Sequence, residues 1–130
     1  MEWTTEVGCA YSATITVADE SGGKIAITVQ LKDYAGNNLT VANSITAYWA
    51  SDTAGLIYAV NDLSPDLAAA DAATTGSLAV TLANGVYQLV SNVAGLIVLD
   101  AAKTETSTAA YLVLVLPNGK LVVSKIVQIA

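Results

Sequence analysis

Four aliphatic side chains at alternate positions, Ile25, Ile27, Val29 and Leu31, constrain this chain more than any other stretch. Lys24, Ala26, Thr28, Gln30 and Lys32 stand between and around them. Successive side chains of a strand point to opposite faces, so the pattern describes a strand with one dry and one wet face. The run Asp33-Tyr34-Ala35-Gly36-Asn37-Asn38 then turns the chain, with Gly and Asn supplying positive φ. Leu39 to Ile45 is weakly extended, and Ala47 and Trp49 follow as the inward positions of the next strand.

The same grammar repeats along the chain. Ala13, Ile15 and Val17 alternate with Ser12, Thr14 and Thr16, with Tyr11 continuing the apolar face, and Asp19 to Gly23 forms a hairpin loop into the Ile25–Leu31 strand. Ser51 to Gly55 turns the chain, and Leu56 to Val60 is a short apolar run. Leu78, Val80 and Leu82 share one face, and Asn84-Gly85 is the strongest hairpin dipeptide. Val86 to Val90 pairs back, Asn92 to Gly95 turns, and Leu96 to Leu99 is apolar. Asp100 to Thr108 reads as a polar loop. Tyr111 to Leu116, the turn Pro117-Asn118-Gly119-Lys120 and Leu121 to Ile129 close the chain. Only 65–73 breaks the pattern. Ser64, Pro65 and Asp66 make a good helix start, and Leu67 to Ala73 is rich in alanine, so a short helix or a crossover loop is expected there. Roughly nine short strands, with turns every 8–12 residues, predict an all-β fold: an antiparallel immunoglobulin-like β-sandwich with a Trp on its third strand. The domain spans 11–130, behind an N-terminal arm over 1–10.

Composition narrows the function. The chain has 130 residues, enough for one domain with its own core, and 54% of them are hydrophobic against 12% charged. Five lysines, no arginine and eleven acids give a net charge of −6, which repels phosphate backbones and anionic lipid surfaces. Neither a nucleic acid nor a membrane is an expected partner. Cys9 is the lone cysteine and reads as a small buried residue. The sequence MEWTTEVGCAYS lacks the basic and apolar regions of a secretory signal.

Catalytic equipment is scarce. There is no histidine, which removes the commonest general base and the commonest transition-metal ligand. Ser124 and Lys125 are adjacent in a strand and point to opposite faces, so they form no dyad. Asp62, Asp66 and Asp71 match no calcium loop and read as capping and solvated acids. No sequence signal pairs two carboxylates for glycoside hydrolysis. Lys24 and Lys32 lie on the wet face, which argues against an isopeptide cross-link. The chain is therefore expected to be no enzyme and to hold no cofactor and no metal.

Assembly is the stronger lead. Tyr111, Val113 and Val115 share one face of a strand, and Leu112, Leu114 and Leu116 share the other. One face enters the core; the other is covered by a loop or by another chain. Trp3 is the one large apolar group of the arm and docks either on its own domain or on a neighbour. Trp3, Tyr111, Val113 and Val115 are thus the candidate assembly contacts.

Two stretches carry a resemblance. ITVQLKDYAGNNLTVANSITAYWASDTAGL and AAYLVLVLPNGKLVVSKIVQIA resemble small immunoglobulin-like virion structural proteins of tailed bacteriophages, over about half of the chain. The matching features are the D-x-x-G turn at Asp33 to Gly36, the corner of Trp49, Ser51 and Asp52, and the closing hairpin Leu116 to Ser124. The resemblance implies a capsid decoration or cement protein, or a head or tail appendage. It would be made in the host cytoplasm, incorporated in the virion, and partnered by the major capsid protein or another virion protein. A homo-oligomer follows from the residues, and a trimer from the three-fold sites of such capsids. The alternative is an immunoglobulin-like adhesion or carbohydrate-binding module, marked by exposed aromatics on one loop edge, with Tyr34 and Tyr58 as candidates.

Overall fold

The computed structural model describes residues 10–53, 66–69, 76–82, 86–102 and 108–129. All regular structure among them is strand: β1 (Ser12–Val17), β2 (Lys24–Lys32), β3 (Ser44–Ala50), β4 (Asp66–Ala69), β5 (Ser77–Leu82), β6 (Val86–Val90), β7 (Leu96–Ala102), β8 (Thr108–Val115) and β9 (Leu121–Ile129). They form two antiparallel sheets, one of four strands in the order β1-β2-β7-β4 and one of five in the order β5-β6-β3-β8-β9.

The alternation of β2 sets the first sheet. Ile25, Ile27, Val29 and Leu31 are all buried, while Lys24 and Ala26 are exposed. Register carries the pattern outward: Ile15 pairs with Val29 and Val29 with Ile97, Val17 with Ile27 and Ile27 with Leu99. In the second sheet Ala47 lies between Tyr87 and Leu114, and Trp49 lies beside Leu112. The two inner faces merge into one core of buried residues, with Ile15 packed against it.

The two sheets form a sandwich, with β1, β2 and β7 in one sheet and β3, β8 and β9 in the other. The chain crosses between the sheets in the middle. The chain goes to the edge strand β4 before it makes the β5–β6 hairpin, and the second strand of that hairpin lies next to β3.

Several expectations shift. Residues 66–69 form neither helix nor loop but an edge strand on β7, with Leu67 opposite Ala101. Alanine's helix propensity is a weak prior, and four residues with a ready partner edge gain more from the ladder. Residues 100–102 continue β7 instead of opening a loop. Leu39 is buried, but residues 39–43 belong to no strand. Ala10 belongs to the sandwich, not to an arm: it is buried, and its N–H donates to Asn43 Oδ1 at 3.1 Å. The Leu56 to Val60 run, the Asn84-Gly85 turn, Cys9 and the arm residues 1–9 lie outside the described residues.

Trp49 is fully buried, and its indole Nε1 has no hydrogen-bond partner. The large apolar area therefore stabilises the core at the expense of one unsatisfied donor. Trp49→Ala is expected to cost about 3–5 kcal/mol. Trp49→Phe removes the orphan N–H and is expected to cost about 2 kcal/mol or less. Urea midpoints of the three proteins check this order.

Candidate functional site

Three turns gather at one end of the sandwich, and side-chain oxygens build each of them. Asp33 Oδ1 accepts the N–H groups of Ala35 and Asn37, both at 3.0 Å. Asn92 Oδ1 accepts those of Ala94 and Leu96, at 2.9 and 3.0 Å. Asn118 Oδ1 accepts the Lys120 N–H at 2.9 Å. These are Asx turns, in which a short polar side chain satisfies backbone donors that no strand can reach.

Further bonds tie the turns together. Leu31 N–H donates to Gly95 O at 2.8 Å, and Gln30 Nε2 to Ala94 O at 2.8 Å. Ser91 N–H donates to Asn43 O at 2.8 Å, and Asn43 N–H to Ser91 Oγ at 2.9 Å. Tyr11 N–H donates to Lys32 O at 2.8 Å, and Asn118 Nδ2 to Tyr11 O at 3.3 Å. Both sheets are thereby locked to one loop pole.

That pole concentrates the exposed apolar surface. Among the described residues the exposed large hydrophobics are Tyr11, Tyr34, Val41, Val90, Val93 and Ile126, and only Ile126 lies away from it. The rings of Tyr11 and Tyr34 meet edge to face, 6.1 Å between centroids and 85° between planes. Tyr34 is exposed as expected of a loop-edge aromatic, and Tyr58 lies outside the described residues. Tyr11 does not continue the dry face of β1; it is 48% exposed and turned to Tyr34. The two rings stand 23 positions apart, and no local period reports that meeting.

The outer faces of the two sheets differ. That of the first sheet is more polar, carrying Thr14, Thr16, Thr28, Gln30 and Asp100 beside the half-buried Leu96 and Val98. On the second sheet an apolar row crosses four strands: Val86 pairs with Tyr48, Tyr48 with Val113 and Val113 with Val123. Ala50, Tyr111 and Ile126 form the next row, and on the other side Val115 and Leu121 share a row with Thr46 and Gln88, whose side chains hydrogen-bond to each other. Tyr111 and Val115 are half-buried, but Val113 is completely covered within the chain. Val113 therefore has no surface to offer a partner, whereas Ile126, 42% exposed, is the most open residue of these rows. Trp3 lies outside the described residues.

Burial and, second, the nearby Asp52 carboxylate hold the Tyr48 phenol above its ordinary pKa of 10.0. Ser124 is buried at an irregularity in the β8–β9 ladder. Its hydroxyl accepts the Leu112 N–H at 2.9 Å and donates to Lys125 O at 2.7 Å. The hydroxyl thus serves the backbone, and the Lys125 side chain is exposed. Of the three acids weighed for calcium, only Asp66 is among the described residues, at the start of β4. Among the described residues no group of three or more potential ligands is placed to hold a metal, and no helix is long and apolar enough to cross a membrane. Lys24 is exposed and Lys32 half-buried, as the wet-face reading requires.

Comparison with family models, characterised proteins and solved structures finds no match for the chain.

Two outcomes follow from this geometry. Gly36 and Gly95 both have positive φ, but a Cβ at Gly36 meets open space, whereas one at Gly95 comes within 2.8 Å of Leu31 O and 2.9 Å of Leu39 Cβ. Gly36→Ala is expected to cost about 1 kcal/mol of strain, and Gly95→Ala at least about 2 kcal/mol more. Thermal or urea unfolding reads the difference. Tyr48 is expected to ionise above the ordinary tyrosine value of 10.0 in an ultraviolet titration. The stabilisation from keeping its phenol neutral is fully present below pH 10.0 and is lost as pH rises through its raised folded-state pKa.

Proposed function

We propose that the chain is a non-catalytic virion structural protein of a tailed bacteriophage: a capsid decoration or cement protein that assembles as a homo-oligomer on the capsid surface. The observation that carries this reading is the apolar outer face of the second sheet, set against the more polar outer face of the first. A domain that meets water on both sides gains little from the row Val86, Tyr48, Val113 and Val123 with Tyr111 and Ile126 beside it. A second copy covering that face turns Ile126 and the half-buried Tyr48, Val86, Tyr111 and Val123 into interface area, and closed symmetry places the same patch on every copy. The resemblance of the Asp33 to Gly36 turn, the Trp49 corner and the Leu116 to Ser124 hairpin supports the virion assignment. The absence of histidine from the sequence fits the non-catalytic part of the reading. The major capsid protein is the proposed partner, and three-fold capsid sites favour a trimer.

Light scattering of the purified chain at micromolar concentration is expected to give a multimer, a trimer in the favoured case. Ile126→Lys, at an accessible site, is expected to shift it towards monomer with little change in the unfolding midpoint. Electron microscopy of phage particles carrying the chain is expected to place it on the capsid surface. A clean monomer, with no density on any virion part, refutes the reading.

A further inference from the structure

We propose that the loop pole is a glycan-binding site, with Tyr34 and Tyr11 as its stacking platform. The inference goes beyond the assembly reading and uses a different surface, at the end of the sandwich instead of on its sheet face. The rings are 63% and 48% exposed and meet edge to face, so they form an open aromatic corner. That corner is held rigid. Asp33 fixes the turn that carries Tyr34, while Lys32 O and Asn118 Nδ2 hold the Tyr11 backbone from two sides. Little freedom is then lost on binding, which is how tyrosine serves recognition loops.

The surroundings match a sugar. A pyranose presents a face of C–H groups and a rim of hydroxyls that each donate and accept. Aromatic faces suit the first, and side-chain amides, which also donate and accept, suit the second. Asn37, Asn38 and Asn118 are all exposed at this pole. Asp33, the carboxylate closest to the rings in sequence, is buried and spends its Oδ1 on the turn. A protein partner fits less well: stable interfaces bury about 800 Å² per side around an apolar centre, and here two rings stand among polar turns. A nucleic acid fits less well again, since the chain is acidic and, among the described residues, Lys32 and Lys120 are the lysines that adjoin the corner. An open site of this kind binds a single short oligosaccharide weakly, with Kd on the order of 1 mM, and gains strength through multiple copies.

The test is an amide NMR titration of the full chain with three probes: oligomers of glucose, of N-acetylglucosamine and of galacturonic acid. At least one is expected to shift the amides of Tyr11, residues 33–38 and residues 118–120, while those of the β8–β9 sheet face stay still. Tyr34→Ala is expected to weaken that binding at least tenfold with an unchanged melting temperature, and Tyr34→Phe to retain most of it. Three silent probes, shifts centred elsewhere, or an unchanged affinity in Tyr34→Ala overturn the proposal. So does a protein ligand that occupies this pole when no sugar does. Oligomeric state is read separately by light scattering, so failure here leaves the assembly reading untouched.

Discussion

The fold depends on β2 being paired on both edges while its inner face is dry. Ile27, Val29 and Leu31 are completely buried, and Ile25 nearly so. Residue by residue, β1 lies on one edge and β7 on the other, and β4 adds to β7. A slip of one residue would send Lys24, Thr28 and Gln30 into the core and four aliphatic side chains into water. At about 1.5–3 kcal/mol per large aliphatic side chain, that alternative is far outside the stability of a domain this size. The register of the first sheet is therefore decided by one strand, and the facing sheet is built to fill what it leaves, with Trp49 and Leu112 side by side.

Once the register is set, the loops at the end of β2 inherit a problem of unpaired backbone groups. Asp33, Asn92 and Asn118 solve it in the same way, each with one side-chain oxygen turned back on its own turn. The close approach of Gly95 to Leu31 O and the Leu39 side chain shows how tightly the Asn92 turn is seated on the end of β2. Here a sequence feature that reads only as a turn becomes a structural joint between sheets. Its consequence is a loop pole stiff enough to hold two tyrosine rings at a fixed angle.

What was legible from the sequence follows from how local each signal is. Alternation over 25–31, the burial of Trp49 and the turns at 33–38, 92–95 and 117–120 are carried by neighbouring residues, and all are present. The strand at 66–69 was not legible, because its alanines favour helix and the ladder on β7 that overrules them comes from 30 to 36 residues further on. Residues 100–102 looked like loop because Asp100 is polar. It sits on the outer face, flanked by Ala26 and Ala68, where a charge is tolerated. The two apolar faces of 111–116 were legible, but not which of their residues remains accessible. Val113 is covered while Tyr111 and Val115 are only half-buried, and that depends on packing across β3, β8 and β9. The Tyr11–Tyr34 pair was half legible: Tyr34 stood out as a loop aromatic, whereas Tyr11 matched the period of the strand it precedes.

The two surfaces are physically different kinds of feature. The sheet-face row is aliphatic, broad and partly closed by its own chain, so its burial is driven by area and tolerates changes of rotamer. The loop pole is small, aromatic and fixed by hydrogen bonds, so it suits a ligand recognised by shape and by a few directed contacts. β3 and β8 join them, since both strands carry the sheet-face row and both run into the turns of the pole.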